Sequence, residues 1–307
     1  MTSLAQVAAS RAKSKSQQLM EALDSLPTLP VVAIQIGEII HSRSASVQQV
    51  AELMRADPAT SAKLLRLVNS PYFGVPGGIS DVARAIPFVG FNTLYQLVLT
   101  ISVIDTLKPA SGGGGVDPRS LWVHALGVAT AARELAQDLR FSDPGSCFTA
   151  GLLHDMGKIA LAKLDPTRLA SALEATRTEK IGLAEAEVRF DLPAHDAIGS
   201  RLAKLWRFPA TLATPIEQHH AIHRIDVRDR LAPNLRTISE IVCVADAVAE
   251  RCTSTFVKGE TSGDEGLPGS DSIVIERNGF GDAALEALCD RTKKELERSR
   301  VFLSLLD

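Results

Sequence analysis

The chain has no excess of basic charge: 33 Lys and Arg stand against 36 Asp and Glu, a net charge of −3 over 307 residues. That balance argues against a broadly basic nucleic-acid binder and against nucleic acid as a partner. Cysteines are few, and Cys147, Cys243, Cys252 and Cys289 stand singly, with no C-x-x-C pair. Neither a disulfide framework nor a zinc knuckle is expected from such a set. No apolar run approaches the roughly 18 residues that span a bilayer. The opening MTSLAQVAASRAKSKSQQLM contains no apolar core of signal-peptide length. These absences point to a protein of a reducing compartment, the cytoplasm, with no membrane as partner. Strand-like alternation is scarce too, with SIVIE at 272–276 its one short candidate. No repeat of fixed period stands out.

Helix signals are plentiful by contrast. Four Asp-Pro pairs, at Asp57, Asp117, Asp143 and Asp165, each precede a segment of helical periodicity. Asp in that place caps free N–H groups, and Pro fits the first helical position. Val47, Val50, Ala51 and Met54 recur at helical spacing, as do Leu64, Leu65 and Val68. The expected fold is all-α, in two packed helical subdomains. The length, at about 150 residues per domain, agrees. The stretch KPASGGGGVDPRS contains four successive glycines that cannot hold a helix, so 108–117 reads as a linker. It separates an N-terminal subdomain (26–107) from a second (118–250). Residues 1–25 form an arm or helix, 251–281 an irregular loop, and 282–307 a last helix capped by Asp282.

Of the seven histidines, all but His41 fall between 124 and 223. His124 lies three residues after Leu121 and four before Val128, on the apolar stripe of its helix. His195 shares a face with Ile198 and Leu202, His219 and His220 follow Ile216 by one turn, and Asp246 sits between Val242 and Ala249. Burying such groups is costly unless each has a partner, so facing helices must supply one another's partners or a metal must. A lone inward histidine is more often a hydrogen-bonded core residue than a ligand. His154-Asp155 is different: the pair ends the apolar run FTAGLL and precedes Gly157, which is expected to close that helix in a left-handed conformation. Imidazole with carboxylate suits Fe, Mn or Zn.

The order His124 … His154-Asp155 … Asp246, with the motif LLHDMGK, resembles the H…HD…D pattern of the HD superfamily of metal-dependent phosphohydrolases. LPTLP, VQQVAELMRADPATSAKLLRLVNSPYFG and ISDVARAIPFVG are similar to the N-terminal half of the HDOD family, and HDAIGSRLAKLWRFP and IEQHH to its C-terminal half. The resemblance covers about 20–250. It implies an HD-like second subdomain and a bacterial signal-transduction output module that acts through regulatory proteins of a signalling pathway. It also implies a mononuclear ligand set of His124, His154, Asp155 and Asp246. His195, His219 and His220 resemble the additional ligands of the HD-GYP branch, and Lys158 its phosphate-contacting lysine. No GYP tripeptide follows His220, which argues against cyclic-dinucleotide hydrolysis. The alternative is a metal-dependent phosphohydrolase or phosphodiesterase, with Asp155 bridging two cations and Lys158 offsetting phosphoryl charge.

Three other features read as structural. In NSPYFG, Asn69 and Ser70 close a helix, and Tyr72 and Phe73 are expected to pack beneath the turn. Gly112–Gly115 lacks the Lys-Ser/Thr of a phosphate loop. Arg224, Arg228, Arg230 and Arg236 alternate with Asp226 and Asp229, as in a solvated loop.

Overall fold

The computed structural model describes residues 13–42, 45–108, 115–253 and 269–306. Every regular element among them is helical. The N-terminal arm holds a helix, α1 (Lys15–Ala22), and the N-terminal subdomain holds α2 (Val31–His41), α3 (Val47–Arg55), α4 (Pro58–Val68), α5 (Val82–Val89) and α6 (Phe91–Leu107). The second subdomain begins with α7 (Pro118–Asp138), α8 (Pro144–Leu153), α9 (Met156–Leu164), α10 (Pro166–Glu179) and α11 (Leu183–Arg189). It continues with α12 (His195–Leu205), α13 (Ala210–Gln218), α14 (Ile225–Arg228) and α15 (Pro233–Thr253). After these come α16 (Gly269–Arg277), α17 (Asp282–Ser299) and a 3-10 turn, Arg300–Leu305.

All four Asp-Pro pairs act as expected. The carboxylates accept from the backbone N–H of Thr60, Arg119, Ser146 and Arg168, at 3.0, 2.9, 3.0 and 3.2 Å. Asn69 brackets the NSPYFG turn by bonding both the N–H and the carbonyl of Ile79. Tyr72 does pack, against Phe73, Phe148 and Phe302. Helices α7, α8 and α15 form the centre of the second subdomain, and α6 packs on α8 to join the first subdomain to it. One apolar core runs through both.

Several expectations need correction. SIVIE belongs to α16, because its apolar Val274 and Ile275 pack against α15 as one turn of helix. The 251–281 stretch therefore holds a helix; its residues 254–268 lie outside the described residues, as do 109–114 of the Gly-rich linker. Gly281, not Asp282, is the cap of α17, with Asp282 in the first turn. The cysteines are not all single: Cys252 at the end of α15 and Cys289 in α17 form a disulfide, with Cα atoms 5.8 Å apart. Packing of α17 on α15, invisible in the spacing, brings them together. No single helix among the described residues is long and apolar enough to cross a membrane.

Candidate metal centre

The break between α8 and α9 builds the middle of the site. His154 keeps helical dihedrals (φ −54°, ψ −40°), then Asp155 turns to φ −99°, ψ 18°, and α9 begins at Met156. Gly157 does not close α8 in a left-handed conformation, as its sequence position suggested; it lies in the first turn of α9. Its function is close approach: a Cβ there would stand 1.9 Å from the carbonyl oxygen of His195. The glycine lets α12 press against α9 and so sets His195 beside Asp155.

Five segments meet at that point: α7 with His124, the α8–α9 break with His154 and Asp155, the start of α12 with His195, the end of α13 with His219 and His220, and α15 with Asp246. Around Asp155 Oδ2 stand Lys158 Nζ at 2.6 Å, His154 Nε2 at 3.3 Å and His124 Nε2 at 3.8 Å. Around its other oxygen, Oδ1, stand His195 Nε2 at 3.5 Å and His219 Nε2 at 3.7 Å. Asp246 Oδ1 lies 3.0 Å from His124 Nε2 and 3.7 Å from His154 Nε2. His220 Nε2 completes the second group, 2.9 Å from His195 Nε2. The donor atoms fall into two sets that share Asp155: one with His124 and His154, one with His195, His219 and His220, each within 4.8 Å. All seven residues singled out in the sequence thus converge, and Lys158 stands with them.

The rings are oriented from behind. His154 Nδ1 donates to the carbonyl of Gly151 at 2.7 Å, and His219 Nδ1 to those of Pro215 and Ile216 at 3.1 Å. Each bond turns an Nε2 inward. His195 is held by Glu187, whose Oε1 accepts from its Nδ1 at 2.7 Å and from its backbone N–H at 3.1 Å. A carboxylate behind a histidine is a usual support for a metal ligand. Sequence reading missed Glu187. Its signal was available: Leu183, Ala186, Glu187 and Phe190 share the inward stripe of α11, a charged residue among apolar ones.

Buried carboxylates and the groups that keep them ionised set the electrostatics of the site. Burial opposes charge on Asp155, yet His154 and Lys158 beside it hold its carboxyl well below the usual carboxylate range. Asp246 is held low against the same burial by its contacts with His124 and His154. Burial also opposes charge on His154, but Asp155 and Asp246 outweigh it and lift its pKa to about 10. Burial and the neighbouring His220 keep His219 neutral. The His220 residue is exposed overall, but desolvation of its ring where it meets His195, and the charge of His195, take it down to about 4. Two carboxylates therefore converge with two neutral imidazoles, His219 and His220, and with a protonated His154 whose Nε2 proton a metal would displace.

The residues fit a metal on a further count. His154 Nε2, His219 Nε2, Asp155 Oδ1 and Asp246 Oδ1 are buried without a hydrogen-bond partner, four of the eight such side-chain atoms among the described residues. Leaving a buried polar atom unpaired costs about 1–3 kcal/mol. Divalent ions at the two sets would satisfy all four, and the absence of sulfur from the donors suits Fe, Mn or Zn. The mouth is open: the side chain of His124 is 24% accessible and His220 is exposed. Of the arginines after His220, Arg224 pairs with Asp226 and Arg228 with Glu240.

Fold and cluster together define an all-helical protein with an HD-type centre in its second half. The HDOD domain model matches residues 26–222, and the chain belongs to the HDOD family. An uncharacterized protein of Treponema pallidum (strain Nichols) is 25% identical over 209 residues, 66% of this chain and 39% of that protein. The chain thus spans well under half the length of this curated relative. An HDOD domain protein of unknown function from Geobacter sulfurreducens is 26% identical, with a TM-score of 0.71 over 93% of this chain and 97% of that one. A protein of Shewanella amazonensis SB2B, provisionally described as a phosphohydrolase, shares the fold at 23% identity, with a TM-score of 0.68 over 95% and 99% of the two chains.

Proposed function

We propose that the chain is a bacterial signal-transduction module whose second subdomain is organised by a divalent transition metal, and that it acts through contact with regulatory proteins. The observation that carries the metal is the set of four buried atoms without partners, two imidazole nitrogens and two carboxylate oxygens, lying in or beside two donor sets that meet at Asp155. Family membership and the missing GYP segment after His220 support an output role in place of cyclic-dinucleotide turnover. His124, His154, Asp155 and Asp246 would hold one ion, and His195, His219 and His220, with Asp155 between, a second. The test is metal analysis of the purified chain after dialysis against Mn, Fe or Zn. At least one tightly held equivalent is expected, lost in Asp155→Ala. A wild type that stays metal-free would reduce the cluster to a structural network.

A second reading, a metal-dependent phosphohydrolase or phosphodiesterase, is favoured by Lys158. Its ammonium sits 2.6 Å from Asp155 on a largely buried side chain, where a phosphoryl oxygen that enters the site would meet it. A bound metal would supply an activated water and offset phosphoryl charge. Lys158 would orient the phosphate, and the exposed His220 would line its approach. Phosphodiesterase activity lost in both Asp155→Ala and Lys158→Ala would establish this reading over the first.

A further inference from the structure

Between the subdomains lies a cavity of about 160 Å³ that shares no residue with the polar cluster. Its walls are Leu29, Ala33 and Ile34 from the start of α2 and the turn before it, Tyr95 and Leu99 from α6, and Trp206 after α12. Cavities near 150 Å³ with aliphatic and aromatic walls hold a benzene-sized body. The Tyr95 ring reaches the wall only because residue 37 is glycine: a Cβ there would meet its Cε2 and hydroxyl at 2.9 Å. A glycine in the middle of α2 weakens that helix, and the flush ring is what it permits.

The mouth is polar and carries both signs. Arg207 and Glu38 line it together. Their closest atoms are 3.7 Å apart, beyond hydrogen-bond length, and their side chains are 76% and 63% accessible. Each therefore has bonding capacity to offer a ligand. A purely anionic ligand would face Glu38 and a purely cationic one Arg207, whereas a zwitterion satisfies both with charge-assisted bonds.

We propose that this cavity is a binding site for an apolar α-amino acid. The side chain enters among Leu29, Ala33, Ile34 and Trp206, the carboxylate meets Arg207 and the ammonium meets Glu38. The site also has a route to the cluster. Helix α12 begins at His195 and its C-cap is Trp206, with Arg207 next in the chain, so one helix runs from the cluster to the edge of the cavity.

Titration of the full chain with L-phenylalanine and with L-leucine, read by tryptophan fluorescence and thermal melting, tests this. A saturable fluorescence change and a raised Tm at millimolar ligand are expected with at least one of the two. 3-Phenylpropionate and phenethylamine, each lacking one charge, should bind roughly tenfold more weakly or worse. Ala33→Met fills the cavity and should abolish the response. Arg207→Gln, at an exposed position that leaves the core intact, should weaken it roughly tenfold. No saturable response to either amino acid overturns the proposal. So does binding unchanged in both variants, and equal binding of 3-phenylpropionate overturns the zwitterion assignment.

Discussion

Asp155 is the hub of the site: it lies within 3.8 Å of Lys158, His154, His124, His195 and His219. Asp155→Ala should therefore lower metal content and reduce the Tm gain that metal gives the wild type. An ion at a hundred times its Kd stabilises the fold by about 2.7 kcal/mol, and calorimetry with and without metal measures that difference. Glu187 is the supporting residue to test beside it. Glu187→Gln keeps the shape but replaces the charged acceptor on His195, and a loss of about 10–100-fold in metal affinity is expected, with the fold retained by circular dichroism. Cys147 offers a pH test far from any ligand change. Burial, with Asp143 near, pushes its thiol up to about 12, while an unfolded thiol ionises near 8.5. The folded state keeps a proton that the unfolded chain gives up, so stability falls as pH rises from about 9 toward 12. Urea melts at rising alkaline pH should show a shallower decline in Cys147→Ala than in the wild type.

Helix starts were legible because their chemistry is local. Asp followed by Pro needs only its own next turn to act, and all four pairs cap as read. Two capping boxes, Ser14 with Gln17 and Ser46 with Gln49, were equally readable signals that went unused. The ligand set was legible for a related reason: histidines and acids on apolar stripes must point inward, and motif spacing separates them from ordinary core polar residues. What could not be read depends on contacts between distant elements. The Cys252–Cys289 bond needs α17 laid on α15, and SIVIE is helical because of its packing, not its alternation. Gly157 belongs in the same group: its freedom was mistaken for a turn when it serves a helix contact. That contact gives a sharp expectation. Gly157→Ala would bring a Cβ to 1.9 Å from the His195 backbone oxygen, which no rotamer change relieves. The variant should lose about 3 kcal/mol or more of stability by urea melting, and metal binding should fall with it as α12 moves off α9.

The chain's last segment closes the molecule and lies wholly beyond the 26–222 match. The 3-10 turn Arg300–Leu305 packs on α4 and α6 of the first subdomain and on α7 of the second. At its centre Phe302 is buried, its ring centroid 5.5 Å from Tyr72 and 5.1 Å from Phe148. Those two residues come from different subdomains, so Phe302 joins the halves through an aromatic contact that touches no metal-site residue. The segment is anchored in turn by the Cys252–Cys289 disulfide, which spans 37 residues. By chain entropy a loop of that length is worth about 4 kcal/mol. Phe302→Ala should cost about 3–5 kcal/mol. Removal of the disulfide by Cys289→Ser should lower stability as well, by up to the loop value. Neither change removes a ligand, so metal content at saturation should stay at the wild-type level while the melting temperature falls. Hydrogen exchange of the metal-saturated variants separates a fastener from an ordinary core residue. In Phe302→Ala, amides of α4, α6 and the last turn should exchange faster, while those of α8 and α15 around the site stay slow. Uniform acceleration across both subdomains would show that the segment supports one indivisible core.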